Sequence, residues 1–127
     1  MAARIRTLGA RAVVVDGRVR DLATLRNLAS EGEGMPIWSR GTSVIGAAAE
    51  AKAWGTNVEV LVGGCSIMPG DIGVIDEEEL GVVVIPKEDL EEVLRILPAL
   101  VEADEKVMAD VLAGGEVGAA FKKYRGK

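Results

Sequence analysis

The sequence predicts an α/β fold with a small β-barrel or compact sheet at its core, flanking helices and a long C-terminal helix. Residues 12–15 form an unbroken apolar run, as in strands buried on both faces. Residues 58–86 alternate short apolar segments with glycine and proline, which is typical of small barrels and sheets. Residues 90–101 repeat apolar side chains at helical spacing. We expect a single domain over 1–127, in which 87–113 form a C-terminal helical segment.

The first forty residues predict two helices and two strands. Residues 2–8 have the pattern of the end of a helix. The Asp16-Gly17 pair that follows the first strand is a typical turn signal. Asp21 is well placed to cap a short helix over 22–28, and a further strand is expected over 35–39.

The middle of the chain predicts short strands joined by tight turns. Glycines interrupt an alanine run in 41–56, so neither a helix nor a strand is assigned there. The Gly63-Gly64 and Pro69-Gly70 pairs predict turns, as does an acidic run. The strands between these turns are expected at 58–62, 65–68, 72–75 and 81–85. In the C-terminal helix, Pro98 removes one hydrogen bond and is expected to kink or split the helix, and 121–127 should form a short basic tail.

The composition limits the chemistry that the chain can perform. There is no histidine, which excludes Ser-His-Asp and Cys-His catalysis and histidine-ligated zinc. A single cysteine, Cys65, excludes an internal disulfide and CxxC sites. Carboxylates, arginine, lysine, hydroxyls and backbone groups are therefore the groups available for catalysis.

The charge distribution argues against direct binding to nucleic acid. The formal net charge is −5, although the first 34 residues carry six arginines against four acidic residues. An electropositive pocket for a small anion is compatible with this distribution, whereas direct nucleic-acid binding is not expected.

The sequence contains no candidate membrane span, because no apolar run reaches the ~18 residues that a span needs. We expect a cytoplasmic protein.

The strongest candidate site is the segment 16–21, at the end of a strand and the start of a helix. Ligands often bind where strand ends meet helix N-termini, because backbone N–H groups point outward there. Arg20 can hold a carboxylate with two hydrogen bonds, and Asp21 can bind a hard divalent cation. The alternative, which the spacing alone favours, is a capping Asp21 beside a solvated Arg20.

A second candidate comprises Gly63-Gly64 and Pro69-Gly70-Asp71. Glycine pairs let a ligand approach the backbone, but turn chemistry accounts for all of these residues. Asp71 is expected to accept a local hydrogen bond rather than to act as a base. The acidic run 76–79 lacks the ligand spacing of a calcium loop and is expected to be solvated.

Five motifs in a fixed order resemble the RraA-like family. They are GARAVVVDGRVRD at 9–21, PIWSRG at 36–41, VGG at 62–64, PGD at 69–71 and GVVVIP at 81–86. The family includes regulators that bind ribonuclease E and 4-hydroxy-4-methyl-2-oxoglutarate aldolases that need a divalent metal. The resemblance implies a swivelling β/β/α domain, assembled as a homotrimer or a hexamer of trimers with sites at subunit interfaces.

The resemblance also implies roles for Arg20 and Asp21. Arg20 corresponds to the substrate-binding arginine, with a catalytic role, and Asp21 to the ligand of a divalent metal, Mg²⁺ or Mn²⁺. The implied reaction cleaves 4-hydroxy-2-oxo acids, or decarboxylates oxaloacetate, with release of pyruvate. The alternative is a non-catalytic oligomeric regulator that binds a partner of the ribonuclease E type.

The chain departs from the family pattern at its start. The acidic residue that aldolases place upstream of the arginine would fall before Met1, as would the first strands and a glycine-rich loop. Thr24 also stands where relatives often carry an acidic residue. The chain is therefore expected to be either N-terminally short or a degenerate member, with lyase activity expected if the missing part is supplied.

Overall fold

The computed structural model describes residues 1–46, 48 and 52–126. The chain divides into two compact units, Met1–Pro69 and Gly70–Lys127. No helix within the described ranges is long and apolar enough to cross a membrane.

The first unit begins with the predicted helix, α1 (Ala2–Thr7). It ends in a Schellman motif, in which Gly9 adopts a positive φ of 92° and donates to the Arg6 carbonyl at 2.9 Å. Ala10 donates to the Ile5 carbonyl at 3.3 Å, which completes the motif. These two bonds satisfy carbonyls that the helix end would otherwise leave without partners.

Two parallel strands joined by a helix form the centre of the first unit. β1 (Val13–Val19) pairs with β2 (Ile37–Thr42), and α2 (Leu22–Ser30) lies between them in sequence. Met35, just before β2, is 1% exposed and donates its N–H to the Leu28 carbonyl at 2.9 Å. This contact fixes the end of α2 to the start of β2.

The predicted turn at Asp16-Gly17 is wrong, because both residues lie inside β1. Val15 pairs with Ser39 and Arg18 pairs with Gly41, so β1 uses one residue more than β2 over this interval. The pair therefore forms a β-bulge. A glycine in a strand interior marks a bulge as readily as a turn, and the sequence does not distinguish the two.

The predicted burial of β1 on both faces is also wrong within the described chain. Exposed and half-buried residues alternate along the strand, and Val14 is 41% exposed. A two-stranded sheet has too few neighbouring elements to cover both faces. The apolar run thus indicates a strand correctly but overstates its burial.

A short hairpin completes the first unit. β3 (Val60–Val62) pairs with antiparallel β4 (Cys65–Ile67). Gly63 and Gly64, the two connecting residues, have φ values of 61° and 88°, as a two-residue hairpin turn requires. The predicted turn is confirmed.

The second unit contains another hairpin, formed by β5 (Ile72–Asp76) and β6 (Gly81–Ile85). Between them lies the predicted acidic turn. The Asp76 carboxylate accepts the N–H groups of Glu78 and Glu79 at 2.9 and 3.0 Å, so it organises the turn.

Two helices end the chain. After a 3₁₀ turn (Lys87–Asp89), α3 (Leu90–Leu112) continues through Pro98, so the expected split does not occur. α4 (Val117–Arg125) occupies most of the segment expected to be a tail. Glu116 caps α4 by accepting N–H groups at 2.9 and 2.6 Å, a signal that the sequence analysis overlooked.

The described residues form an α/β arrangement of three two-stranded sheets and no closed barrel. A barrel needs every strand to have two paired neighbours. The β3–β4 and β5–β6 strands instead pair only within their own hairpins. The barrel alternative is therefore wrong for the described chain, while small sheets and the long helix are confirmed.

Candidate functional site

A cleft of about 970 Å³ lies in the first unit, around the end of β1 and the start of α2. Side chains of α1, α2 and the start of β2 supply its apolar wall: Ile5, Leu25 and Ile37. Charged residues from one continuous stretch complete it: Asp16, Arg18, Arg20 and Asp21. The structure thus places both predicted site residues, Arg20 and Asp21, in the lining of this cleft.

Arg20 and Asp21 form an exposed ion pair at the cleft. Arg20 Nε lies 3.2 Å from Asp21 Oδ2, and their side chains are 48% and 63% exposed. Exposed pairs of this kind contribute little to stability, about 0–1 kcal/mol. Both charged groups therefore remain accessible to a ligand.

Asp21 stands at the N-cap position of α2 but does not use its side chain to cap the helix. Its backbone is left-handed, with φ 62° and ψ 45°, and its carboxylate makes no capping hydrogen bond. The interpretation of Asp21 as a capping side chain is therefore wrong. A left-handed residue other than glycine costs about 1–3 kcal/mol and is found disproportionately at functional sites.

The segment after β2 closes the cleft near Arg20. Ser43 donates its N–H to the Val19 carbonyl at 2.8 Å, which extends the parallel pairing beyond the strands. A Cβ atom on Gly46 would lie 3.5 Å from Arg20 Nη1, so the backbone passes close to the guanidinium. Thr24 also lines the cleft, one turn into α2.

The β1 bulge determines which side chains face this cleft. Paired residues share a face of the sheet, and residues two apart along β2 point the same way. Because Val15 pairs with Ser39 and Arg18 with Gly41, Val15 and Arg18 share a face. Without the extra residue, Gly17 would take the place of Arg18. The bulge therefore puts Arg18 on the same face of the sheet as Val15, and both residues line the cleft.

Asp16 belongs to the candidate segment 16–21, in which the sequence alone assigns it no individual role. One carboxylate oxygen accepts the Gly63 N–H at 2.9 Å, and the other pairs with Arg40 Nε. The Gly63 N–H and then the Arg40 guanidinium outweigh partial desolvation and hold the pKa of Asp16 below its ordinary value of 3.8. Asp16 thereby joins the bulge to β2 and to the β3–β4 turn. Its wide sequence separation from these partners left no local signal.

The described residues of the cleft can supply one protein ligand to a divalent cation, the carboxylate of Asp21, but not a complete set of ligands. Within the described ranges, no group of three acidic or cysteine side chains could enclose a metal ion. Asp21 offers one exposed carboxylate, and Mg²⁺ is commonly bound through one or two carboxylates with water and ligand oxygens. Asp21 can therefore be one ligand of such an ion, with water and substrate supplying the others.

The second candidate site has the structural role that turn chemistry predicts. Gly70 has a φ of 102°, as expected in the Pro69-Gly70 turn. Asp71 Oδ1 accepts the Lys87 N–H at 3.0 Å, within the second unit. Asp71 therefore accepts a hydrogen bond as expected, but its donor Lys87 lies 16 positions along the chain, so this bond is not a local one.

Comparison with known proteins identifies the family. Residues 1–84 match the RraA-like family, described as Aldolase/RraA. The chain belongs to this family. The match covers the whole first unit, including β1, α2 and the cleft between them. The resemblance of the ordered motifs is thus confirmed.

One relative carries an aldolase name, and one solved structure shares the fold. The chain is 41% identical over 90 residues to a Halalkalibacterium halodurans protein named "Putative 4-hydroxy-4-methyl-2-oxoglutarate aldolase". The alignment covers 71% of this chain but 39% of that relative, so the chain spans well under half of its length. An uncharacterized protein from Pseudomonas syringae has a similar fold, with a TM-score of 0.63 at 21% identity, over 86% of this chain and 66% of that one.

Proposed function

We propose that this RraA-like protein is a divalent-metal-dependent carbon–carbon lyase. Its substrates would be 4-hydroxy-2-oxo acids or oxaloacetate, and its common product pyruvate. The observation that carries the proposal is Asp21, a left-handed, uncapping carboxylate that lies beside Arg20 in the cleft. The name of the Halalkalibacterium relative supports the same class of reaction.

Arg20 would bind and orient the substrate. A guanidinium can hold a carboxylate with two parallel hydrogen bonds, and the 48% exposure of this side chain leaves it accessible. The N-terminus of α2 adds the favourable end of a helix dipole beside the same position. The acid would thereby be held with its 2-oxo group towards Asp21.

Asp21 would hold Mg²⁺ or Mn²⁺. When bound, such an ion supplies Lewis-acid polarisation of the 2-oxo group. In aldol cleavage the C3–C4 bond breaks, and its electron pair stays on C3 of the pyruvate half as an enolate. A water molecule takes the proton of the C4 hydroxyl, and C3 is later protonated to give pyruvate. Arg20 would stabilise the negative charge that develops in this half.

An assay of pyruvate release, coupled to lactate dehydrogenase, tests the proposal. We expect turnover of oxaloacetate or 4-hydroxy-4-methyl-2-oxoglutarate with Mg²⁺, and loss of turnover with EDTA. Arg20→Ala and Asp21→Asn should each lower kcat/KM by about 10²-fold or more, because each removes a group that acts on the developing charge. Arg26→Gln is the matched control, since Arg26 lies on α2 but outside the cleft lining. Activity that survives EDTA, or that Arg20→Ala leaves unchanged, would contradict the proposal.

A further inference from the structure

Among the described charged side chains that line the cleft, Arg18 is the one without an ion-pair partner. Asp16 pairs with Arg40, and Asp21 pairs with Arg20. Arg18 has no ion pair with any carboxylate in the part of the chain that the structure describes. Within the described part of the chain, the cleft therefore presents one guanidinium that no carboxylate pairs with, beside the one that the proposed function assigns to substrate binding.

The geometry places Arg18 and Arg20 as neighbours. The bulge puts Arg18 on the same face of the sheet as Val15, and Arg18 and Arg20 both line the cleft. Arg18 lies in β1, and Arg20 follows the strand by one residue. Two guanidinium groups that line one cleft can hold the two carboxylates of a short-chain dicarboxylic acid, which two or three carbon atoms separate.

We propose that Arg18 binds the distal carboxylate of the substrate and so selects dicarboxylic over monocarboxylic 2-oxo acids. This inference rests on the proposed function, because it places the first carboxylate on Arg20. Arg18 lines the cleft, and no carboxylate of the described ranges pairs with it there. A second carboxylate supplies the charge-assisted hydrogen bonds that the described protein groups do not.

Ligand binding tests Arg18 independently of turnover. The probes are 2-oxoglutarate and 2-oxopentanoate, five-carbon 2-oxo acids that differ in the distal carboxylate. Calorimetry with Mg²⁺ present should show about tenfold tighter binding of 2-oxoglutarate to the unmodified chain. Arg18→Gln should abolish that preference and leave the affinity for 2-oxopentanoate unchanged. Arg18→Lys should keep part of it, because the charge remains while the planar two-bond geometry is lost. The control Arg26→Gln should keep the full preference for 2-oxoglutarate.

The outcomes separate this inference from the lyase proposal. In one outcome the chain prefers 2-oxoglutarate to 2-oxopentanoate in a way that depends on Arg18, but it turns over neither oxaloacetate nor 4-hydroxy-4-methyl-2-oxoglutarate. This result would support the inference and overturn the lyase proposal. In another outcome the chain releases pyruvate, but Arg18→Gln leaves the preference for 2-oxoglutarate unchanged. This result would support the lyase proposal and overturn the inference about Arg18. An equal loss of affinity for both probes would overturn the assignment of Arg18 to the distal carboxylate. Failure of both probes to bind the unmodified chain would overturn it as well.

Discussion

At the scale of single residues, the site depends on how Asp16 and Asp21 use their carboxylates. Asp21 has the backbone position of a helix cap, yet its side chain is directed to Arg20 instead. Asp16 binds a backbone N–H and a guanidinium from two other segments. The Asp21 carboxylate is accessible to a ligand, whereas the Asp16 carboxylate holds the surrounding backbone in place. Residue type alone does not distinguish these roles.

Asp16 leads to a prediction about pH. Its pKa is lower in the folded protein than the ordinary 3.8, because the Gly63 N–H and Arg40 favour the charged form. A depressed pKa stabilises the fold above 3.8, and this contribution is lost as the pH falls through the folded-state value. We expect Asp16→Asn to be less stable than the unmodified chain at about pH 7, with the difference shrinking at about pH 3. Urea unfolding at both pH values measures it.

The matched variant for this test is Asp76→Asn. Asp76 also accepts backbone N–H groups, but it lies in the β5–β6 turn of the second unit. If Asp16 acts through the bulge, Asp16→Asn should also lower kcat/KM in the pyruvate assay, and Asp76→Asn should leave it unchanged. A stability difference for Asp16→Asn that stays the same at both pH values would contradict the stated role of its charge.

At the scale of secondary-structure elements, the β1 bulge links the strand to the site. One extra residue between Val15 and Arg18 changes which later side chains face the cleft. Gly17 has no positive φ, and a Cβ there would meet only Val15 Cγ1 at 3.7 Å. The bulge therefore follows from the pairing with β2 and from the contacts of Asp16, rather than from a conformation available only to glycine.

Helix α3 leads to a prediction about stability. Pro98 lies in its interior and is exposed, so it removes a hydrogen bond without adding a buried contact. Pro98→Ala should raise the free energy of unfolding by up to about 3 kcal/mol, and Pro98→Gly by about 1 kcal/mol less. Urea denaturation gives both values. A destabilising Pro98→Ala would show that the ring makes a contact that the helix needs.

At the scale of the whole molecule, the described chain leaves much apolar surface exposed. Among the described residues, only three hydrophobic side chains are buried: Met35, Val107 and Ala120. On α3, apolar residues of one helical face remain 48–80% exposed: Leu94, Leu97, Val101, Met108 and Leu112. Exposed apolar patches of this kind commonly mark association surfaces.

We therefore predict that the chain self-associates, and the resemblance to the RraA-like family implies a homotrimer or a hexamer of trimers. Association would remove these apolar side chains from water at about 25 cal/mol for each Å² buried. Light scattering coupled to size-exclusion chromatography measures the mass across a range of protein concentrations. A mass of 13.3 kDa at every concentration would contradict this prediction.

Local sequence patterns predicted much of the fold. The hairpin at Gly63-Gly64, the acidic turn after β5 and the long C-terminal helix each depend on contacts between residues close in sequence. Turn preferences and helical periodicity report such contacts directly. The positions of Arg20 and Asp21 at the junction of a strand and a helix also follow from residues close in sequence, so the sequence predicts them.

The sequence by itself determined the family, the residue types available for chemistry and the location of the Arg20-Asp21 pair. Only the tertiary structure decided that Asp16-Gly17 is a bulge, that Arg18 faces the cleft and that the Asp21 side chain does not cap α2. The physical reason is that strand register and the partners of Asp16 depend on segments 24 and 47 residues away. Preferences of neighbouring residues carry no information about such distant pairings.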